Sequence, residues 1–230
     1  MYKSTFKTIE EFMLKEMKDS AHDYLHIYRV TNQAMEIALE YPEANNEIVL
    51  ASSLLHDIGR EAQYRNPDIC HAKIGGEIAY DLLISIGWSG EDALHVKECI
   101  QAHRYRVENP PKTIEAKILF DSDKLDSTGA IGIARTLNYG GIMNEPLYTV
   151  DENMIVHEGS RCSPESFIKE YNFKLIKLYD SFYTEKAKSI AEKRKNISMQ
   201  FYNSLMSEIN IGNIRRFLDL LMINNNCNII

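Results

Sequence analysis

Strand-like alternation of apolar and polar residues is nearly missing from this sequence, which removes most β and α/β architectures from consideration. Proline (six) and glycine (eleven) are sparse and fall mostly between segments of helical period, so little interrupts the helices themselves. The four cysteines, Cys70, Cys99, Cys162 and Cys227, lie far apart with no C-x-x-C pair. That pattern argues against a disulfide framework or a zinc knuckle and suits reduced thiols in a cytoplasmic protein. No apolar run approaches the ~18–20 residues that span a bilayer, and the opening MYKSTFKTIEEF meets acid too early for a signal peptide. Basic excess is also lacking: 26 Lys+Arg against 33 Asp+Glu leave a formal charge of -7. A protein that tracks a nucleic-acid backbone carries the opposite balance. Neither nucleic acid nor membrane is therefore an expected partner, whereas a single nucleotide held in a local basic pocket is compatible.

What is present is helical. The chain of 230 residues is 44% hydrophobic and 10% aromatic, ample for a core. Apolar periodicity predicts helices over about 6–18, 23–41, 46–58, 71–86, 90–104, 112–126, 128–138, 164–182, 184–208 and 212–224. Start signals stand ahead of several of these: Pro42 to Asn46, Ser89, and Ser163-Pro164. The expected fold is all-α. One connection is long, YGGIMNEPLYTVDENMIVHEGSRCS from Tyr139 to Ser163, and its Tyr148 and Met154 suit a lid. The tail NNNCNII is a short biased segment.

His56-Asp57 is the most informative pair. It follows the apolar run IVLASSLL and precedes Gly59. Successive helix residues point about 100° apart, so both side chains face one ion only if the turn opens there, and Gly59 is the residue expected to let it open. By itself a helix-end histidine beside an aspartate is common. His26 lies on an apolar stripe with Val30 and Ile37, where a lone histidine is ordinarily a satisfied core residue. Asp121, Asp123 and Asp126 crowd into KILFDSDKLDS beside Phe120 and Leu125, costly to bury without a cation, although Lys124 or exposure to solvent could answer that need. Taken together, His26, His56, Asp57 and Asp123 make a mixed nitrogen and oxygen shell drawn from three helices. Such a shell suits a divalent transition ion, Mn, Fe, Co, Ni or Zn, better than an all-thiolate or all-oxygen site would.

These contexts resemble the HD superfamily of metal-dependent phosphohydrolases. His22-Asp23-x-x-His26-x-x-Arg29-Val30, LLHDIG and DSDKLDSTGAIGIARTLNYGG are similar to the blocks of one bacterial subgroup of small HD-domain hydrolases, whose third block reads close to DADRLDAIGAIGIAR. FIKEYNFKLIKLYDSFYTEKAKSIAEKRKNISMQF resembles the subgroup's C-terminal helical pair, so the likeness covers roughly residues 20–208. It implies a single-domain HD-type helical bundle over 1–210, with a core at about 20–130 and a helical pair at about 164–208, followed by a C-terminal helix and tail over 211–230. It puts the ligand role on Asp123, and leaves Asp121 and Asp126 to orient ligands or to cap the helix break. Where the subgroup often has a C-terminal histidine this chain has Glu170, so that residue's role does not carry over. His71 in CHAKIGGEIA and His103 in CIQAHRYR resemble the extra histidines of the two-metal HD branches, where Asp57 would bridge both ions. A helix cap at His71, a dipole-favoured helix end at His103, or phosphate contact by both are the other readings.

The resemblance implies hydrolysis of a phosphoester or phosphoanhydride of a small phosphorylated metabolite, a nucleotide by the subgroup's habit (pyrophosphohydrolase or nucleotidase type). Expected catalytic residues are Asp57, Arg60, Glu61 and Lys124: Arg60 and Lys124 for phosphate, Glu61 or Asp57 as proton acceptor. Arg104 and Arg106 could extend the basic wall or form a solvated helix end. His22, His95 and His157 read as surface or loop residues, with His157 able to reach in from the lid. One ion is expected, two are open, and a homodimer is open. A di-iron HD-type oxygenase and a non-catalytic nucleotide-binding HD module are the alternatives.

Overall fold

The computed structural model describes residues 3–17, 24–104, 108–152, 154–209 and 221. The described residues are all-α, with an isolated antiparallel bridge between Val150 and Val156. In order the helices are α1 Lys3–Glu16, α2 Tyr24–Ala38, α3 Asn46–Leu55, α4 Arg60–Arg65, α5 His71–Ser85, α6 Gly90–Ala102, α7 Ile114–Leu125 and α8 Gly129–Ile142. There follow α9 Phe167–Glu170, a π-helical stretch Tyr171–Leu175, α10 Ile176–Leu178 and α11 Glu185–Glu208. Among the described residues, no helix is long and apolar enough to cross a membrane. The predicted helix at 212–224 and the residues His22 and Arg106 lie outside the described residues, apart from Leu221.

The chain packs as two compact units, Met1–Asp126 with Phe182–Ile190, and Ser127–Ser181 with Ala191–Ile230. In the first unit Ile9, Ile27, Val30, Leu54, Leu55, Val96, Ile100 and Leu119 draw α1, α2, α3, α6 and α7 around one buried core. Helices α3, α6 and α7 start where short polar side chains satisfy the first free N–H groups. Asn45 caps α3, Ser89 caps α6 and Thr113 caps α7. The second unit has a smaller core of Ile133, Phe167, Ile168, Tyr171 and Leu175, with Tyr171 stacked on Tyr202. There α8 runs four residues past its predicted end, and α9 begins at Phe167 because Ser166, not Ser163, supplies the cap. The long connection carries the isolated bridge and a Phe167 N–H bond to the Pro146 carbonyl.

Helix α4 has no counterpart among the predicted helices. Six residues are too few for an apolar stripe to declare itself. Asp121, in turn, serves the scaffold. Its buried carboxylate accepts from the Tyr183 and Thr184 N–H groups (2.9 and 2.7 Å) and from the Thr184 hydroxyl (2.6 Å), while Thr184 Oγ1 accepts from Ala187 N–H at the start of α11. Asp121→Ala would leave several buried donors unpaired, and a loss of about 3 kcal/mol is expected. A fall in the urea midpoint at unchanged metal content would show that this residue fastens residues 182–190 and does not serve the ion site.

Candidate metal centre

The local geometry around His56 shows how two neighbours can share a site. Helix α3 ends at Leu55, and the chain then tightens, with Ile58 N–H bonding the Leu55 carbonyl and Arg60 N–H the Asp57 carbonyl. His56 and Asp57 flank this junction, and their side chains meet, with His56 Nε2 3.6 Å from Asp57 Oδ2. Gly59 has φ -85° and ψ 0°, values open to any residue, so backbone freedom is not its reason. An added Cβ would meet the His71 carbonyl oxygen at 2.2 Å and the Gly75 nitrogen at 2.8 Å. Glycine is required because the start of α5 lies against it.

Two groups of donor atoms result, each with its ligand atoms within 4.8 Å of one another: His26, His56 and Asp123, and Asp57, His71 and His103. Asp57 joins them. Its Oδ2 lies 3.7 Å from His26 Nε2 and 3.6 Å from His56 Nε2, and its Oδ1 lies 3.4 Å from His71 Nε2 and 3.6 Å from His103 Nε2. Asp123 Oδ1 completes the first group at 3.4 Å from His26 Nε2 and 3.9 Å from His56 Nε2. All six residues are nearly or fully buried.

The hydrogen bonds behind the rings define their tautomers. His26 donates Nδ1–H to Asp126 (2.7 Å), His56 to the Ser53 carbonyl (2.8 Å), His71 to Gln63 Oε1 (2.5 Å) and His103 to the Ile100 carbonyl (2.6 Å). A neutral ring anchored in this way turns its Nε2 lone pair inward. Two Nε2 pairs, His26 with His56 and His71 with His103, approach to 3.3 Å, and Asp57 Oδ1, which Arg60 Nε meets at 2.9 Å, accepts no well-aligned hydrogen bond. Facing lone pairs and the buried carboxylate oxygens beside them repel one another unless a cation lies between them. Ligands of one transition ion, each about 2 Å from it, stand about 3–3.5 Å apart, close to the separations observed. The donor set fits a divalent metal.

Electrostatics agree. Burial pushes His56 down to about 4, and burial with Arg60 pushes His71 down to about 2, which keeps both rings neutral and able to coordinate. Burial would raise Asp57, yet His56, Arg60 and His103 outweigh it and hold the carboxyl well below its usual range. Asp123 is likewise held low against burial, chiefly by Lys124.

The remaining candidates separate cleanly. Arg60 Nε lies 2.9 Å from Asp57 Oδ1, and Lys124 Nζ bonds Asp123 Oδ2 at 2.7 Å, so both cations border the ligands. Glu61 pairs instead with Arg65 along α4 and belongs to neither donor group. Asp126 orients His26 and is itself held by Arg29, whereas Asp121 does neither. Arg104 donates to Cys70 Sγ, and His95 contacts Glu115 and Thr113 away from the ligands. His157 lies in the second unit, where its N–H bonds the Thr149 carbonyl, and Glu170 pairs with Lys174. Gln63 is the residue that sequence reading passed over. No periodic or motif signal marks it.

Residues 23–128 match the HD domain family model. The uncharacterized protein YpgQ of Bacillus subtilis is 30% identical over 196 residues, 84% of this chain and 86% of YpgQ. The crystal structure of YpgQ in complex with ADP superposes with a TM-score of 0.70 at 28% identity, covering 91% of this chain and 97% of that one. An HD-superfamily hydrolase from Bacillus thuringiensis gives a TM-score of 0.69 at 29% identity, covering 90% and 98%. The 3'-5' exoribonuclease YhaM of Listeria monocytogenes is more distant, 23% identical over 157 residues, 56% of this chain and half of YhaM. The fold is that of HD-superfamily hydrolases, and the chain belongs to the HD domain family.

Proposed function

We propose that this protein is a metal-dependent phosphohydrolase acting on a small phosphorylated metabolite, a nucleotide in particular. The observation that carries the reading is the paired donor set, in which four inward Nε2 atoms and Asp123 surround the two oxygens of Asp57. His26, His56, Asp123 and Asp57 Oδ2 would hold one divalent ion, and His71, His103 and Asp57 Oδ1 a second. Such ions, when bound, supply Lewis acidity toward phosphoryl oxygens and lower the pKa of water toward neutrality.

The chain's own side chains do the rest. The side chain of Arg60 is 42% exposed beside Asp57, and Lys124 stands at Asp123. Each is placed to draw a phosphate's charge toward the ligands and to stabilise charge developing on its equatorial oxygens. Asp126, Gln63 and the carbonyls of Ser53 and Ile100 hold the imidazoles in orientation, so little reorganisation accompanies reaction. Glu61, turned to Arg65, would serve as proton acceptor only after leaving that partner. A nucleotide is favoured because the related YpgQ has been crystallised with ADP.

The test is phosphate or pyrophosphate release across a panel of nucleoside mono-, di- and triphosphates with added Mn²⁺. Release that disappears with chelator and returns with metal is the expected result. A flat panel with oxygen uptake by iron-loaded protein would favour the second reading, a di-iron oxygenase, which the same six-ligand arrangement supports.

A further inference from the structure

The two halves of the centre are built differently, and the difference lies in α4. In the first half, His26 leans on a carboxylate, Asp126, and Asp123 adds a second negative ligand to Asp57. In the second half Asp57 is the one carboxylate, and a cation already stands on it: Arg60 Nε is 2.9 Å from Oδ1, the same oxygen that faces His71 and His103. The anchors differ as well. His56 and His103 are anchored by carbonyls of their own helices three residues back, positions that cannot drift without unwinding α3 or α6. His71 instead depends on the uncharged side chain of Gln63. Arg60 and Gln63 are three residues apart on α4 and so share a face.

We infer that α4 controls occupancy of the second metal position. Gln63 is the positioning residue that turns His71 Nε2 inward, and the Arg60 guanidinium is the resident counter-ion of Asp57 Oδ1, displaced when a second divalent ion enters. The inference rests on the reading that these clusters bind divalent metal. It makes loading sequential, with the half at His26, His56 and Asp123 filled first. Arg60, half in solvent, has room to swing away from Asp57 once an ion takes its place, which frees it for substrate phosphate.

The two residues act with opposite sign, and that makes the inference testable. Metal-free full-length protein is titrated with Mn²⁺ alone, and bound and free ion are measured by calorimetry and by the electron paramagnetic resonance of free Mn²⁺. Wild type is expected to show two steps, the second weaker. Gln63→Leu, which lacks the acceptor, should weaken the second step by about 10–100-fold, the usual cost of losing an orienting partner, with the first step moved little. Gln63→Glu, which keeps an acceptor oxygen, should restore it. Arg60→Gln removes a competing charge and should tighten the second step by about tenfold. Equal behaviour of the Leu and Glu variants, or a second step that Arg60→Gln leaves alone or weakens, overturns the inference while the metal site stands. Wild type that binds no Mn²⁺, or a first step that survives unchanged in His56→Ala, overturns both. Should Gln63→Leu fail to fold, the Gln63→Glu and Arg60→Gln titrations still decide.

Discussion

Asp57→Ala is expected to strip metal from both halves of the centre and to reduce hydrolysis by about 10³-fold or more. One carboxylate serves two sets of imidazoles, 3.6–3.7 Å from one pair through Oδ2 and 3.4–3.6 Å from the other through Oδ1. Its loss therefore removes a ligand from each position at once. Ion-assisted charge stabilisation is worth several kcal/mol, and each 1.36 kcal/mol is about tenfold in rate. His56→Ala removes one ligand of the first position, so it is expected to lose the first ion while the second group of donors stays intact. Elemental analysis of the purified variants, paired with phosphate release, separates the two. The metal-free Asp57→Ala protein should melt within a few degrees of the metal-free parent, since that change removes no apolar core contact and leaves Arg60, already partly in solvent, free to hydrate. Full metal content in either variant would show that the site has been misassigned.

The second large effect is expected at Gly59, where alanine would cost about 3 kcal/mol or more, a fall of roughly 10 °C in melting temperature. The obstruction is backbone: the His71 carbonyl at 2.2 Å and the Gly75 nitrogen at 2.8 Å cannot rotate aside as a side chain could. Relief requires α5 to move away, carrying His71 with it, so the second metal position should weaken in step with stability. Alanine at Gly90, where an added Cβ meets nothing within 4 Å, is the matched control. Equal melting temperatures for the two variants would refute the packing argument.

The same glycine shows where sequence reading gives out. Gly59 was identifiable as special from its place after His56-Asp57, but the expected reason, freedom to open the turn, is not the operative one. The chain leaves α3 by i→i+3 bonding that any residue could adopt, and the need for glycine comes from a helix twelve residues further on. Asp121, Asp123 and Asp126 make the same point. All three read alike as acids in one short block, yet Asp123 faces His26 and His56, Asp126 bonds His26 across a hundred residues of sequence, and Asp121 holds Thr184, 63 positions away.

The sequence by itself determined the helical class, since apolar period and cap residues are local signals, and it marked His26, His56, Asp57 and Asp123 by their contexts. It also brought His71 and His103 forward, with their purpose left open. Only the tertiary structure decided that Asp57 presents a different oxygen to each histidine pair, that Arg60 stands on one of those oxygens, and that Gln63 on a six-residue helix orients His71. These are contacts between elements distant in the chain. Their geometry depends on how buried helices pack around one core, and no local period or motif records it.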